Sequence, residues 1–222
     1  MSKRKENKSE TRLAISKSHL SDASIQAALE PYGMAVTPRI AHVVRDYVRL
    51  LLRWNSSISL TSLTDTEEIL GFHFGESLFA ASVVPIESGR LADVGSGAGF
   101  PGLALKIAKP LIHVILIESS NKKAVFLQEV VRSLGLSDVG VIHGGFGGSG
   151  LAEGCLDFVT SRALGKFDEV LPWSRRVLRK SGQLVLWVGE EQAKMVSAHP
   201  GFSWRPPVLI PGSKRRFLLI GH

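Results

Sequence analysis

Apolar positions follow one period in the first third of the chain and another in the rest. Between Pro38 and Asn55, Ile40, Val43, Val44, Tyr47, Leu51 and Trp54 recur at the three-and-four spacing of a single helix face. Thr37 stands where a side-chain oxygen can cap that helix, and Pro38 falls in the first turn, where a missing N–H costs nothing. A shorter helix is expected within "SDASIQAALEPYG", capped by Ser21 and stopped by Pro31 and Gly33. "DTEEILGFHFGESLFAASVV" reads as one or two more.

From Arg90 the texture changes. "RLADVGS", "HVILIES", "VGVIHG", "LDFVTSRA" and "GQLVLWVG" are short apolar runs without alternation. The segments between and after them, "GLALKIA", "KKAVFLQEVVRSLG", "FDEVLPWSRRVLRK" and "EEQAKMVSA", carry helical spacing. Strands apolar on both faces belong to a parallel sheet covered on both sides. "PPVLIP" and "RFLLIG" are separated only by "GSKR", too little chain for a crossover helix, so they are expected to pair antiparallel. The predicted architecture is a doubly wound α/β domain over residues 89–222, with a helical N-terminal cap over 19–88 forming one compact unit with it. Residues 1–18, polar and rich in Lys and Ser, read as a disordered basic tail.

Composition narrows the picture. The chain has 222 residues, of which 44% are hydrophobic, enough for one core. A net charge of +7 favours a polyanionic partner, nucleic acid before anionic membrane. The candidate phosphate contacts are the tail, the row His42, Arg45, Arg49 and Arg53, and Lys214 to Arg216, with Arg175, Arg176 and Arg179 as the alternative. A lone Cys155 excludes an intrachain disulfide and a cysteine-based zinc site, and suits a reducing cytoplasm. The charged start "MSKRKENKSETR" does not read as a secretory signal, and no apolar run reaches the length of a membrane span. No His, Asp or Glu grouping has ligand spacing, so no metal is expected, and His73 and His143 read as structural histidines.

The chemistry concentrates in "DVGSGAGFPG". Its glycines follow the first strand of the sheet, where open α/β sheets bind ligands at the carboxyl ends of their strands. Gly95, Gly97 and Gly99 allow a tight turn and close approach to the backbone. The spacing departs from the dinucleotide pattern G-x-G-x-x-G, because Phe100 stands where the third glycine would fall. Asp93 precedes the loop, and Glu118 closes the second strand, where a carboxylate can accept hydrogen bonds from both hydroxyls of a ribose.

The D-x-G-x-G-x-G form resembles motif I of the class I S-adenosylmethionine methyltransferases. Across about residues 20–222, the order "RWNSSISLTSLTD", "HFGESL", "DVGSGAGFPGLALKI", "ESSNKKAVFLQEVVRSLGL" and "TSRAL" resembles the RsmG family, also called glucose-inhibited division protein B. The resemblance implies a Rossmann-like class I S-adenosylmethionine methyltransferase sheet and transfer of methyl to N7 of a guanine in 16S ribosomal RNA. It also implies a cytoplasmic monomer that acts on that RNA or on the small ribosomal subunit. Gly95, Gly97 and Phe100 would meet the methionine part of S-adenosylmethionine, and Glu118 would hold the ribose. Phe146 and Gly147 would border the adenine, and Arg162 would fall at the family's cofactor-pocket arginine. No catalytic residue is assigned, since N7 already offers a lone pair and needs no general base. The chain departs from the family pattern at Ser59, Phe72, Glu76 and Val188, and in the glycine-rich "GGFGGSG". Those departures set the alternative reading, an RNA- or ribosome-binding protein of the same fold that transfers no methyl. An NAD-dependent oxidoreductase is the third.

Overall fold

The computed structural model describes residues 20–162 and 165–222. The proposed tail, residues 1–18, lies outside them. Five strands run parallel: β1 (Gly89–Val94), β2 (Ile112–Glu118), β3 (Val139–His143), β4 (Leu156–Arg162) and β5 (Leu178–Gly189). With β6 (Val208–Leu209) and β7 (Arg216–Gly221) they form one sheet in the order β3-β2-β1-β4-β5-β7-β6. The strand order reverses between β1 and β4, the switch point at which such sheets open a crevice. As expected from the short "GSKR" connection, β7 pairs antiparallel with β6, and it also pairs antiparallel with β5. That pairing carries the start of β7 to the carboxyl edge of the sheet, with Arg216 opposite Gly189.

Eight α-helices surround the sheet among the described residues. They are α1 (Asp22–Leu29), α2 (Pro38–Asn55), α3 (Thr66–Glu68), α4 (Glu76–Val83), α5 (Gly102–Ala108), α6 (Asn121–Ser133), α7 (Phe167–Val177) and α8 (Glu190–Ser197). Ser21 and Thr37 cap α1 and α2 through their side-chain oxygens, which accept from Ser24 N and Ile40 N. A π-helical segment, Ile69–Gly75, joins α3 to α4, so "one or two helices" resolves into one continuous run with a widened middle.

Two apolar layers cover the sheet. On one face Leu91, Val114 and Leu116 pack with Tyr47, Leu51, Phe74, Leu103 and Phe126, so that α2, the π segment, α5 and α6 share a single core with the strands. On the other face Ala92, Val94 and Val159 pack with Val170, Val177 and Val196 of α7 and α8.

One predicted boundary is wrong. The helical spacing of "FDEVLPWSRRVLRK" extends to Lys180, but α7 stops at Val177 and Leu178 already pairs with Leu156 of β4. Pairing with a neighbouring strand has overridden the helix propensity of Leu-Arg-Lys.

Candidate functional site

The loop after β1 is tied to the end of β2. Gly95 N and Ser96 N both donate to the Ile117 carbonyl, at 2.9 and 3.2 Å, and Gly97 N donates to Glu118 Oε2 at 2.8 Å. Glu118 Oε1 accepts from Ser120 N at 2.7 Å. An ionised carboxylate has about four lone-pair sites, so two backbone bonds leave Glu118 able to accept from two hydroxyls as well. Gly97 has φ +56, and a Cβ built there would meet only the Gly95 carbonyl, 3.8 Å away. This glycine turns its bare side to open space.

Asp93 braces the loop from within the sheet. It is fully buried; its carboxylate accepts from Thr160 Oγ1 at 2.9 Å and from Gly102 N, at the start of α5, at 3.1 Å. Burial pushes the carboxyl up to about 6, against the pull of those hydrogen bonds. It ties β1, β4 and α5 together and faces no ligand space.

The Phe100 side chain is buried beneath the loop, against the N-terminal helices. Its ring stacks on Tyr47 (centroids 5.3 Å apart, 9° between planes) and on His73 (4.8 Å, 11°), with Phe74 at its edge. The protein covers its faces, so Phe100 shapes the glycine loop from behind. Tyr47 Oη reaches across to donate to the Ala98 carbonyl at 2.6 Å, inside the same loop. His73 Nε2 lies 2.8 Å from Thr61 Oγ1, and Asn55 holds Thr61 in place by accepting from Leu60 N and Thr61 N. Burial and the nearby Arg162 lower the His73 imidazole to about 4, which makes it neutral near pH 7 and no general acid.

Phe146 and Gly147 follow β3. Gly144 N donates to the Glu118 carbonyl at 2.9 Å, which brings this second glycine-rich loop beside the first. The Phe146 ring rests edge-on against Trp173 of α7, with centroids 5.4 Å apart, and Gly147 is exposed. Arg162 ends β4 with its side chain only 12% exposed. Its guanidinium donates to the Phe72 carbonyl at 2.8 Å and to Glu76 Oε2 at 3.2 Å, and lies 4.3 Å from the centre of the Phe72 ring. Arg216 donates to the other oxygen of Glu76 at 2.7 Å and lies 4.7 Å from the same ring. Glu76 is buried, and desolvation pushes its carboxyl up while the two guanidiniums pull it down. Trp187 Nε1 donates to the Glu76 carbonyl at 2.7 Å.

The structure therefore gathers Gly95, Gly97, Glu118, Phe146, Gly147 and Arg162 along the carboxyl ends of β1 to β4, and sets the Phe100 ring behind the loop. Two departures from the family pattern gain a structural setting. Phe72 and Glu76 lie with Arg162 and Arg216 in one ion-paired cluster. Val188 is buried in the core, and Ser59 is exposed.

Several of the predicted phosphate contacts carry ion pairs of their own: Arg216 with Glu76, Arg49 with Asp46, Arg179 with Asp157, and Arg45, 18% exposed, with Asp22 besides a bond to the Leu20 carbonyl. The long-range pairs among these leave no mark in local sequence. Tyr47, Asn55, Thr61 and Arg216 are the residues whose part in the site sequence reasoning missed. Tyr47 read as one more apolar-face residue, and its contact lies 51 positions away. No group of three or more His, Cys, Asp or Glu among the described residues could hold a metal ion, and none of the helices there is long and apolar enough to cross a membrane.

A family model described as GidB, rRNA small subunit methyltransferase G, matches residues 40–201. The ribosomal RNA small subunit methyltransferase G of Hydrogenovibrio crunogenus is 34% identical over 186 residues, 83% of this chain and 84% of that protein. The ribosomal RNA small subunit methyltransferase G 1 of Syntrophobacter fumaroxidans is 40% identical over 124 residues, 56% of each. Among solved structures, a SAM dependent methyltransferase from Aquifex aeolicus aligns with a TM-score of 0.62 at 19% identity. The alignment covers 73% of this chain and 95% of that one, and it speaks for the fold.

Proposed function

This chain belongs to the rRNA small subunit methyltransferase G family, and we propose that it transfers the methyl group of S-adenosylmethionine to N7 of a guanine in 16S ribosomal RNA. The observation that carries the reading is the loop after β1, where Gly97 opens to ligand space and is bonded to a strand-end carboxylate with acceptor capacity to spare. When bound, S-adenosylmethionine supplies a methyl carbon made electrophilic by its sulfonium. N7 would bring the lone pair for the new bond, and the thioether sulfur would keep the electron pair of the bond given up. No proton moves, so no general base is required.

The work left to the protein is alignment and exclusion of water. Glu118 holds the ribose through its free lone pairs, and the backbone at Gly95 and Gly97 lies against the methionine part. Phe146 and Gly147 border the adenine. Arg162, held by Glu76 and the Phe72 carbonyl, fixes the π segment against the cleft and presents a cation there. Phe100 acts through the loop it supports. N7 lies on the major-groove edge, which a regular A-form helix conceals, so the target guanine is unpaired or turned out. The protein acts as a monomer in the cytoplasm.

Calorimetry with S-adenosylhomocysteine, followed by methyl transfer to small subunits that lack the modification, tests this reading. The expected result is binding of the homocysteine compound and recovery of 7-methylguanosine from digested 16S RNA. Binding without transfer would favour the RNA-holding alternative, and absence of binding would defeat both.

A further inference from the structure

The starts of β4 and β5 lie at the edge of the sheet that faces away from the glycine loop. A surface cleft of about 670 Å³ opens there, between the end of α7, the start of β5, the turn before β4 and the turn after α8. Arg175, Arg176, Lys180 and His199 line it, Leu171, Pro172 and Leu178 give it apolar wall, and Glu153 is its one carboxylate. Gly154 N donates to the Arg176 carbonyl at 3.0 Å, which fixes the turn before β4 against the end of α7. Lys180 lines the cleft, whereas its neighbour Arg179 is bonded to Asp157 at 2.6 Å. Successive residues of a strand point to opposite sides, so β5 divides the two cations.

Arg175, Arg176 and Lys180 are exposed and enter no ion pair among the described residues. Some surface cations are paired, Arg49 with Asp46, Arg132 with Glu129 and Lys194 with Glu190 and Glu191, and others, such as Arg53, Arg90, Lys122 and Arg205, stand exposed without an ion pair among the described residues; what distinguishes these three is that they line one cleft. Placing Arg175 and Arg176 in the last turn of α7 suits the helix dipole. That accounts for neither Lys180 nor the convergence of all three on one concavity, where they repel one another.

We propose that this cleft is a second RNA-docking surface, which takes phosphodiester groups of the same substrate whose guanine enters the carboxyl edge. The inference rests on the proposed function. It also defines the substrate more closely. The seven residues of β4 separate the two edges by roughly 20 Å in a straight line, and farther around the surface. A strand of only two or three nucleotides seated at the glycine loop does not reach both. The substrate is an RNA long enough, or so folded, that it presents two segments at once.

The test uses the full chain with protein-free 16S RNA, assembled small subunits and a short single-stranded RNA bearing a guanine, each titrated across a salt series. The variant combines Arg175→Glu, Arg176→Glu and Lys180→Glu; a second combines Arg175→Gln with Lys180→Gln, and S-adenosylhomocysteine calorimetry reports on fold and cofactor site for both. Affinity for S-adenosylhomocysteine and for the short RNA should stay at the wild-type value. Affinity for 16S RNA should fall roughly tenfold or more in the charge-reversed variant, and its log–log salt slope should shrink by about 0.7–0.9 for each phosphate no longer neutralised. Wild-type affinity and slope in both variants would overturn the proposal. So would equal weakening on the short RNA, which would make the effect one of net charge. A weakening confined to assembled subunits, with protein-free RNA unaffected, would also overturn it by making the partner a ribosomal protein. If the wild type binds S-adenosylhomocysteine but no 16S RNA, the substrate reading itself fails and this inference fails with it.

Discussion

The chain has two glycine-rich loops at the carboxyl edge of its sheet, "GSGAGFPG" after β1 and "GGFGGSG" after β3. In the first, a Cβ at Gly99 would run into the Tyr47 hydroxyl and Leu103, and one at Gly102 into Leu116 and Asp93. Those two glycines serve the protein's own packing. Gly97, between bonded neighbours and with nothing nearer than 3.8 Å on its bare side, is the position left for a ligand. In the second loop a Cβ at Gly144, Gly145, Gly147, Gly148 or Gly150 meets nothing within 4 Å. Packing demands glycine at none of them. Open space at Cα is common to Gly97 and the second loop; what sets Gly97 apart is its bond to Glu118 beside the tightly packed Gly99 and Gly102, and glycine content reports neither.

Substitutions can break this contrast. The largest effect is expected at Gly99. Gly99→Ala adds overpacking against Tyr47 and Leu103 to a φ of +90, and should cost about 3–5 kcal/mol of stability, read from the urea midpoint. A near-wild-type midpoint would mean that the aromatic brace yields. Next comes Gly97→Val, which should fold yet lose on the order of a hundredfold in S-adenosylhomocysteine affinity, because the branched side chain fills the open side. Unchanged affinity in the folded variant would remove the loop from the cofactor site.

The braces of the first loop also titrate, in opposite senses. Asp93 is raised to about 6 in the folded chain, so its ionisation lowers stability as pH climbs from about 4 to 6. His73 is lowered to about 4, so its protonation lowers stability as pH drops from about 6.5 to 4. In the wild type the two trends offset each other. His73→Phe keeps an aromatic ring against Phe100 and should expose the Asp93 trend, a loss of about 2 kcal/mol between pH 4 and 6 in denaturant titrations. A flat profile would show that Asp93 titrates normally. The smallest effect belongs to the open loop: Gly148→Ala, where φ lies outside the left-handed region and space is free, should add about 0.4–1 kcal/mol through the unfolded state. A loss instead would mean that the second loop is as constrained as the first.

Most of the fold was legible because its signals are local. Ser21, Thr37 and Pro38 mark helix starts by their own chemistry, and unalternating strands announce a covered sheet. The end of α7 was missed because "RRVLRK" satisfies helical spacing and only the neighbouring β4 turns Leu178 into strand. In the site, Glu118 was legible as a strand-end carboxylate. The place of Phe100 was not, because the partners that claim its ring, Tyr47 and His73, come from α2 and the π segment. Arg45 and Arg216 read as free cations for the same reason: Asp22 and Glu76, far along the chain, neutralise them.

The stack of Tyr47, Phe100 and His73 has a consequence for how this molecule can be taken apart. The loop that faces the ligand has no mechanical independence, because its rear wall is built from helices that precede the sheet in the chain. A chimaera joining these helices to the sheet of a relative would inherit a wall cut for a different loop unless positions 47, 73 and 100 were exchanged together. In calorimetric melting, loss of the ligand site and loss of the helical layer should then register as one cooperative event.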